Sequence, residues 1–181
     1  GIYTRENIAV GDFNGDGLAD VALLNGLGYV NSRFVSIHLG RGDGSFSVGP
    51  AYATVMGARA LAVADLDGDG IADLWVGRAD SGAYTASHGS NSLMQFLLGN
   101  GDGSFAGAPA RATSALAYVP FALADFNGDG KPDLASLSMS ATGNLGSPSQ
   151  VLLSAGSANG EFGASAVVAT LGFTPRFVFS G

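Results

Sequence analysis

The stretch Asp65-Leu-Asp-Gly-Asp-Gly-Ile-Ala-Asp73 sets carboxylates at its first, third, fifth and ninth positions and glycines at its fourth and sixth. Two near copies flank it, Asp12-Phe-Asn-Gly-Asp-Gly-Leu-Ala-Asp20 and Asp125-Phe-Asn-Gly-Asp-Gly-Lys-Pro-Asp133. Hard oxygen donors at this spacing suit Ca²⁺, which takes six to eight oxygens in flexible geometry. The side-chain candidates are Asp12, Asn14, Asp16 and Asp20, then Asp65, Asp67, Asp69 and Asp73, then Asp125, Asn127, Asp129 and Asp133. The carbonyls of Leu18, Ile71 and Lys131 stand at the seventh positions. Three such loops imply three Ca²⁺ ions, because packed carboxylates repel one another unless a cation joins them. Gly17, Gly70 and Gly130 occupy the sixth position, where the chain bends round an ion.

The loops are not EF-hands. The twelfth position holds Leu23, Val76 or Ser136 instead of glutamate, and the flanks read as strands. Mg²⁺ demands a stricter octahedron than such a loop offers. Zinc is disfavoured in a chain with no cysteine and two histidines.

The loops begin at Asp12, Asp65 and Asp125, a period of roughly 50–60 residues that signals a repeat architecture. In each repeat an apolar strand enters the loop (Ile8–Gly11, Leu61–Ala64, Phe121–Ala124) and a second leaves it (Asp20–Asn25, Asp73–Gly77, Asp133–Ser138). The second strands are apolar at successive positions, so Val21, Leu23, Leu134 and Leu137 read as members of strands buried on both sides. A third strand (Phe34–Leu39, Leu93–Leu98, Gln150–Ser154) runs into another repeated turn: Gly40-Arg-Gly-Asp-Gly-Ser-Phe46, Gly99-Asn-Gly-Asp-Gly-Ser-Phe105 and the drifted Ser157-Ala-Asn-Gly-Glu-Phe162. Phe46, Phe105 and Phe162 are expected to pack back on the sheet. Fourth strands are expected at Ala51–Val55, Arg111–Leu116 and Ala166–Leu171.

The fold class is therefore all-β, with four antiparallel strands per unit, as in the blades of a β-propeller. A β-sandwich is the alternative; a parallel β-helix would need much shorter periods. The chain reads as one propeller-type domain, residues 1–181, with repeats near 5–57, 58–117 and 118–173 and the start of a fourth unit at 174–181. Small polar residues dominate Gly26–Arg33, Arg78–Ser92 and Met139–Ser149, which read as surface loops able to carry binding.

Composition narrows the function. The formal net charge is −7, and ten of the 15 acidic residues lie in the three loops, so the acidity is site chemistry. Eight lysines and arginines form no basic patch, which argues against nucleic acid as a partner. No apolar run reaches the ~20 residues of a membrane span. With no cysteine, bound calcium takes the place of disulfides outside the cell.

The pattern Ile8-Ala-Val-Gly-Asp-Phe-Asn-Gly-Asp-Gly-Leu-Ala-Asp-Val21 resembles the FG-GAP (VCBS-type) repeat. That family includes the calcium-binding blades of integrin alpha-subunit propellers and many secreted bacterial and fungal proteins. The resemblance implies a calcium loop between the first and second strands of each blade, with the residues named above at the ligand positions. Phe105-Ala-Gly-Ala-Pro109 looks like a relaxed form of the segment that names the family; Phe46–Pro50 and Phe162–Ser165 lack it. Propellers of this family usually close with seven blades, and three repeats cannot close a ring. Arg176–Gly181 aligns with Arg59–Ala64, so the remaining blades are expected from a longer chain or from other copies. The function implied is a secreted, extracellular calcium-binding module for recognition or scaffolding, not an enzyme, with a protein or carbohydrate ligand. A sugar-binding lectin of the same fold and an accessory part of a secreted enzyme are the alternatives.

Three weaker signals carry bland readings. Arg41-Gly-Asp43 occupies a hairpin turn that Asn100-Gly-Asp102 fills in the second repeat. His38 reads as a packed or edge residue, and His88, near Ser87 and Asp80, lacks a nucleophile elbow. Trp75 reads as core.

Overall fold

The computed structural model describes residues 8–25, 34–55, 58, 60–78, 92–107, 111–113, 121–138, 149–157 and 162–171. All their regular structure is β. The strands are β1 (Ile8–Gly11), β2 (Asp20–Asn25), β3 (Phe34–Gly40), β4 (Phe46–Ala53), β5 (Ala60–Ala64), β6 (Asp73–Arg78), β7 (Ser92–Gly99), β8 (Phe105–Gly107), β9 (Arg111–Thr113), β10 (Phe121–Ala124), β11 (Asp133–Ser138), β12 (Ser149–Ser154) and β13 (Ala166–Leu171). They form three antiparallel meanders, β1-β2-β3-β4, β5-β6-β7-β8 with β9 also on β7, and β10-β11-β12-β13. Each is a propeller-like blade, and the three do not close into a barrel.

The loop hairpins share one register. Gly11 pairs with Asp20, Ala64 with Asp73 and Ala124 with Asp133, so each nine-residue motif begins just after one strand and ends on the first residue of the next. Side chains alternate across a strand, and in the middle blade this alternation divides two cores. Leu61, Val63, Leu74, Val76, Leu97 and Phe105 face the first blade, where they meet Ala22, Leu24, Val35 and Ile37. Ala60, Ala62, Trp75, Met94, Phe96 and Leu98 face the third blade and meet Leu134. Each fully buried Leu, Val or Ile contributes roughly 1.5–3 kcal/mol. The middle blade is thus held on both faces, as the sequence of its second strand implies.

The first blade departs from that expectation. Val21 and Leu23 are only half-buried, because among the described residues no sheet lies on their side of β2. Leu134 is buried as expected; the side chain of Leu137 lies outside the described residues. Phe105 is buried and Phe162 packs 6.4 Å from Phe96, but Phe46 is exposed. The reason is that Phe105 and Phe162 are covered by the preceding blade, and among the described residues no blade covers that face of the first.

β13 has the expected bounds, Ala166–Leu171, but the fourth strands of the first two blades differ from expectation. β4 begins directly at the turn, at Phe46, and a bulge opposite Ser36–His38 accommodates Gly49 and Pro50. Pro50 is tolerated because β4 is an outer strand, whose free edge needs no N–H there. In the middle blade the fourth position is shared by β8 and β9, on either side of residues 108–110, where Pro109 has no N–H to donate. The expected fourth unit at 174–181 and most of the three polar loops lie outside the described residues.

Candidate metal centres

Each loop is wound around its own side chains. Asp12 Oδ1 accepts the N–H groups of Gly15 (2.8 Å) and Asp16 (3.2 Å), and Oδ2 accepts that of Gly17 (2.8 Å). Asp65 accepts Gly68 (2.7 Å) and Gly70 (2.9 Å), and Asp125 accepts Gly128 (2.7 Å), Asp129 (3.1 Å) and Gly130 (2.9 Å). At the third position Asn14, Asp67 and Asn127 each accept the N–H two residues on. Asp16, Asp69 and Asp129 do the same for Leu18, Ile71 and Lys131 at 2.8, 2.8 and 3.0 Å. These are successive Asx turns, which bend the chain without a helix or ladder. In the second loop Gly68 and Gly70 sit at φ 83° and 86°, a region a Cβ disfavours.

The ninth position is a strut. Asp20, Asp73 and Asp133 are essentially fully buried. One oxygen of each accepts the N–H of the second loop residue: Phe13 at 2.9 Å, Leu66 at 2.7 Å and Phe126 at 3.1 Å. The other accepts the N–H of a distant glycine at the end of the third strand or two residues past it: Gly40 at 2.7 Å, Gly99 at 2.7 Å and Gly156 at 2.8 Å. A Cβ on those glycines would strike the carbonyls of Ala19, Ala72 and Pro132. Sequence reasoning missed this use of the glycines. The signal was present: Gly156-Ser-Ala-Asn-Gly-Glu-Phe162 has the length of Gly40–Phe46, and the drifted third turn begins one residue earlier than Ser157.

One carboxylate trio converges. Oxygens of Asp65, Asp67 and Asp73 lie within 4.8 Å of one another, which suits a divalent cation. Among the described residues this is the only such cluster, not one of three. In the other loops the third position is an amide: Asn14 Nδ2 donates to Asp16 at 2.9 Å, and Asn127 Nδ2 to Asp129 and Asp133 at 3.3 Å. Burial pushes the Asp73 carboxyl up, opposed by the N–H groups of Gly99 and Leu66 and reinforced by the charges of Asp67 and Asp69. A cation is the group that would relieve that charge, so the donor set fits one. Asp12 and Asp125 are held below their ordinary value, chiefly by the N–H groups of Gly17 and Gly130.

The first loop is also fastened to the next blade. The Phe13 carbonyl accepts the N–H of Gly103 at 2.8 Å, and the Phe13 ring meets Phe105. The Tyr52 hydroxyl accepts the N–H of Phe105 at 2.8 Å. Gln95 holds the chain between the blades, accepting Val55 N–H at 3.0 Å and donating to Ala53 at 3.2 Å. Leu66, the counterpart of Phe13 in the second loop, is buried in the core toward the third blade. These fastenings join residues far apart in sequence and left no local signal.

The sequence profile of the FG-GAP-like repeat matches residues 12–76 and 83–136. The chain belongs to the FG-GAP-like repeat family. The first match runs from the start of the first acidic loop through the second and the strand that leaves it; the second reaches past the third loop to Ser136. No curated protein matches the chain. Within this FG-GAP-like architecture the weaker sequence signals have plain places. Arg41–Asp43 forms an exposed turn in which Asp43 accepts the N–H (2.8 Å) and hydroxyl (2.6 Å) of Ser45, and Asp102 and Ser104 repeat the arrangement. Trp75 is core, with Nε1 3.1 Å from Met94 Sδ. His38 is half-buried beside Ser36, with Nε2 3.0 Å from Oγ. Asp80, Ser87 and His88 lie outside the described residues. Among the described residues no helix is long and apolar enough to cross a membrane.

Proposed function

We propose that this FG-GAP-like module is a secreted, calcium-stabilised, non-catalytic propeller arc that serves in recognition or scaffolding. The observation that carries the reading is the convergence of Asp65, Asp67 and the buried Asp73 within 4.8 Å. In the second loop Asp65, Asp67, Asp69, the Ile71 carbonyl and Asp73 are the proposed ligands. Asp12, Asn14, Asp16, the Leu18 carbonyl and Asp20 serve in the first, and Asp125, Asn127, Asp129, the Lys131 carbonyl and Asp133 in the third. The second loop, with four carboxylates, is the strongest site. The third is weakened by Lys131, whose Nζ lies 3.9 Å from Asp129.

The experiment is thermal unfolding of the chain with calcium and after its removal, joined to titration calorimetry. Selective binding to the folded state raises the melting temperature, with dissociation constants near the ~10⁻⁴–10⁻³ M of extracellular modules. Asp69→Ala removes one site of three. A melting temperature indifferent to calcium sinks the reading, and an unchanged site count in Asp69→Ala sinks the assignment of that loop.

A further inference from the structure

Every blade has two unlike faces, and the chain stacks them in one order. The face bearing Ala22 in the first blade meets the face bearing Leu74 and Val76 in the second. The face bearing Trp75 in the second meets the face bearing Leu134 in the third. Ala22, Trp75 and Ala135 occupy equivalent positions, as do Val21, Leu74 and Leu134, because each triplet follows its ninth-position aspartate at the same distance. Both joints therefore have the same polarity, and among the described residues one face of each kind is left unpartnered.

Each unpartnered face carries the residues that its counterparts bury. On the first blade Ile8 is 58% exposed where Leu61, its equivalent, is 3%. Phe46 is 47% exposed where Phe105 is 6%. On the third blade Phe126 is 50% exposed where Phe13 and Leu66 are each 1%. Ala135 is half-buried where Ala22 and Trp75 are buried. The first-blade face runs across its strands in the rows Val10–Val21–His38–Val48 and Ile8–Leu23–Ser36–Ala51, with no Asp, Glu, Lys or Arg among them. Contiguous apolar surface of this kind marks an interface.

We propose that these two faces recognise each other between copies of this chain: Phe126 of one copy seats beside Phe46 on the first blade of a second, as Phe13 seats on Phe105 within the chain. Continuity with the two internal joints identifies the occupant. The missing half of each face is a surface this polypeptide already displays on its other outer blade, in the right polarity. The contact is heterologous, so copies add head to tail into a ring or an open series. The inference rests on the blade reading and is independent of the calcium assignment.

The test measures mass by light scattering and sedimentation of the 181-residue chain at micromolar concentration. The wild type is expected at twice the monomer mass or more, and Phe126→Asp and Phe46→Asp alone at the monomer mass. An equal mixture of the two variants regains a two-copy species, because one supplies an intact Phe46 face and the other an intact Phe126. A monomeric wild type overturns the proposal, as do single variants that associate like the wild type or a mixture that stays monomeric. If circular dichroism shows Phe46→Asp to be unfolded, Val48→Asp replaces it on the same face, where Val48 is 81% exposed. Association that persists while melting ignores calcium would sink the calcium reading and leave this one standing.

Discussion

The rings of Phe13 and Phe105 meet edge to face, with centroids 5.5 Å apart and planes inclined at 68°. Phe13 is the second residue of the first acidic loop, and Phe105 opens the fourth strand of the next blade. Tyr52 approaches the same Phe105 ring at 5.7 Å and 81°. One side chain thus joins a loop, its blade and the neighbouring blade. Phe105→Ala is expected to destabilise the fold by about 3–5 kcal/mol, the usual cost of emptying a buried aromatic site. Chemical denaturation checks this; a loss below about 1 kcal/mol would show that the joint is not cooperative with the core.

The ninth-position aspartate is expected to matter with or without metal. Asp73→Asn keeps the size of the side chain but turns an NH₂ toward one of two backbone donors, Leu66 or Gly99. One of those N–H groups loses its partner, at a cost of about 1–3 kcal/mol. Asp69 lies on the surface of the loop, so Asp69→Ala should leave the calcium-free protein nearly as stable as the wild type. Denaturant midpoints in calcium-free buffer separate the two roles, and equal losses in both variants would contradict the strut.

Ser136 offers a stabilising substitution. It is buried, on the face turned toward the second blade, at the position where that blade carries Val76, and among the described residues its Oγ has no hydrogen-bond partner. Ser136→Ala removes the orphaned hydroxyl and should raise stability by about 1 kcal/mol. An unchanged or lowered unfolding midpoint would mean that the hydroxyl has found a partner in solution.

Acid should act in opposite directions on the two kinds of loop carboxylate. Without calcium, Asp73 has its folded value raised above the ordinary 3.8 by burial. Its contribution to stability is full below 3.8 and is lost as the pH rises through the folded value. Asp12 and Asp125 have folded values below 3.8, so their contribution is present above 3.8 and lost as the pH falls through those lower values. As a ligand, Asp73 must be ionised. The gain in melting temperature from saturating calcium should therefore shrink as the pH falls from neutral toward about 4. A gain independent of pH across that range would remove Asp73 from the ligand set.

The strands beside the loops were legible in the sequence because the motif fixes both ends of its hairpin. Ile8–Gly11, Asp20–Asn25, Phe121–Ala124 and Asp133–Ser138 have the expected bounds. Among the fourth strands β13 has the expected bounds, Ala166–Leu171, but those of the first two blades were not legible, because an outer strand buries little. β4 is mostly exposed and shows no alternation of buried and open positions strong enough to place it. The loop residues were legible from spacing, but the second partner of Asp20, Asp73 and Asp133 was not: it lies 20, 26 and 23 residues away. Phe46 shows the same limit. Its own repeat reads like that of Phe105, and the difference between them is made by a neighbour.

The like polarity of the two joints bears on how such a chain grows. A tandem duplication of the DNA for one whole repeat inserts a unit that presents a matching surface to the blade on either side of it. The polarity is kept at either boundary, and the same is true of a deletion, while the side chains there must still fit one another. Heredity can therefore lengthen or shorten this protein in steps of one blade, while an insertion of half a repeat would set two surfaces of the same kind against each other.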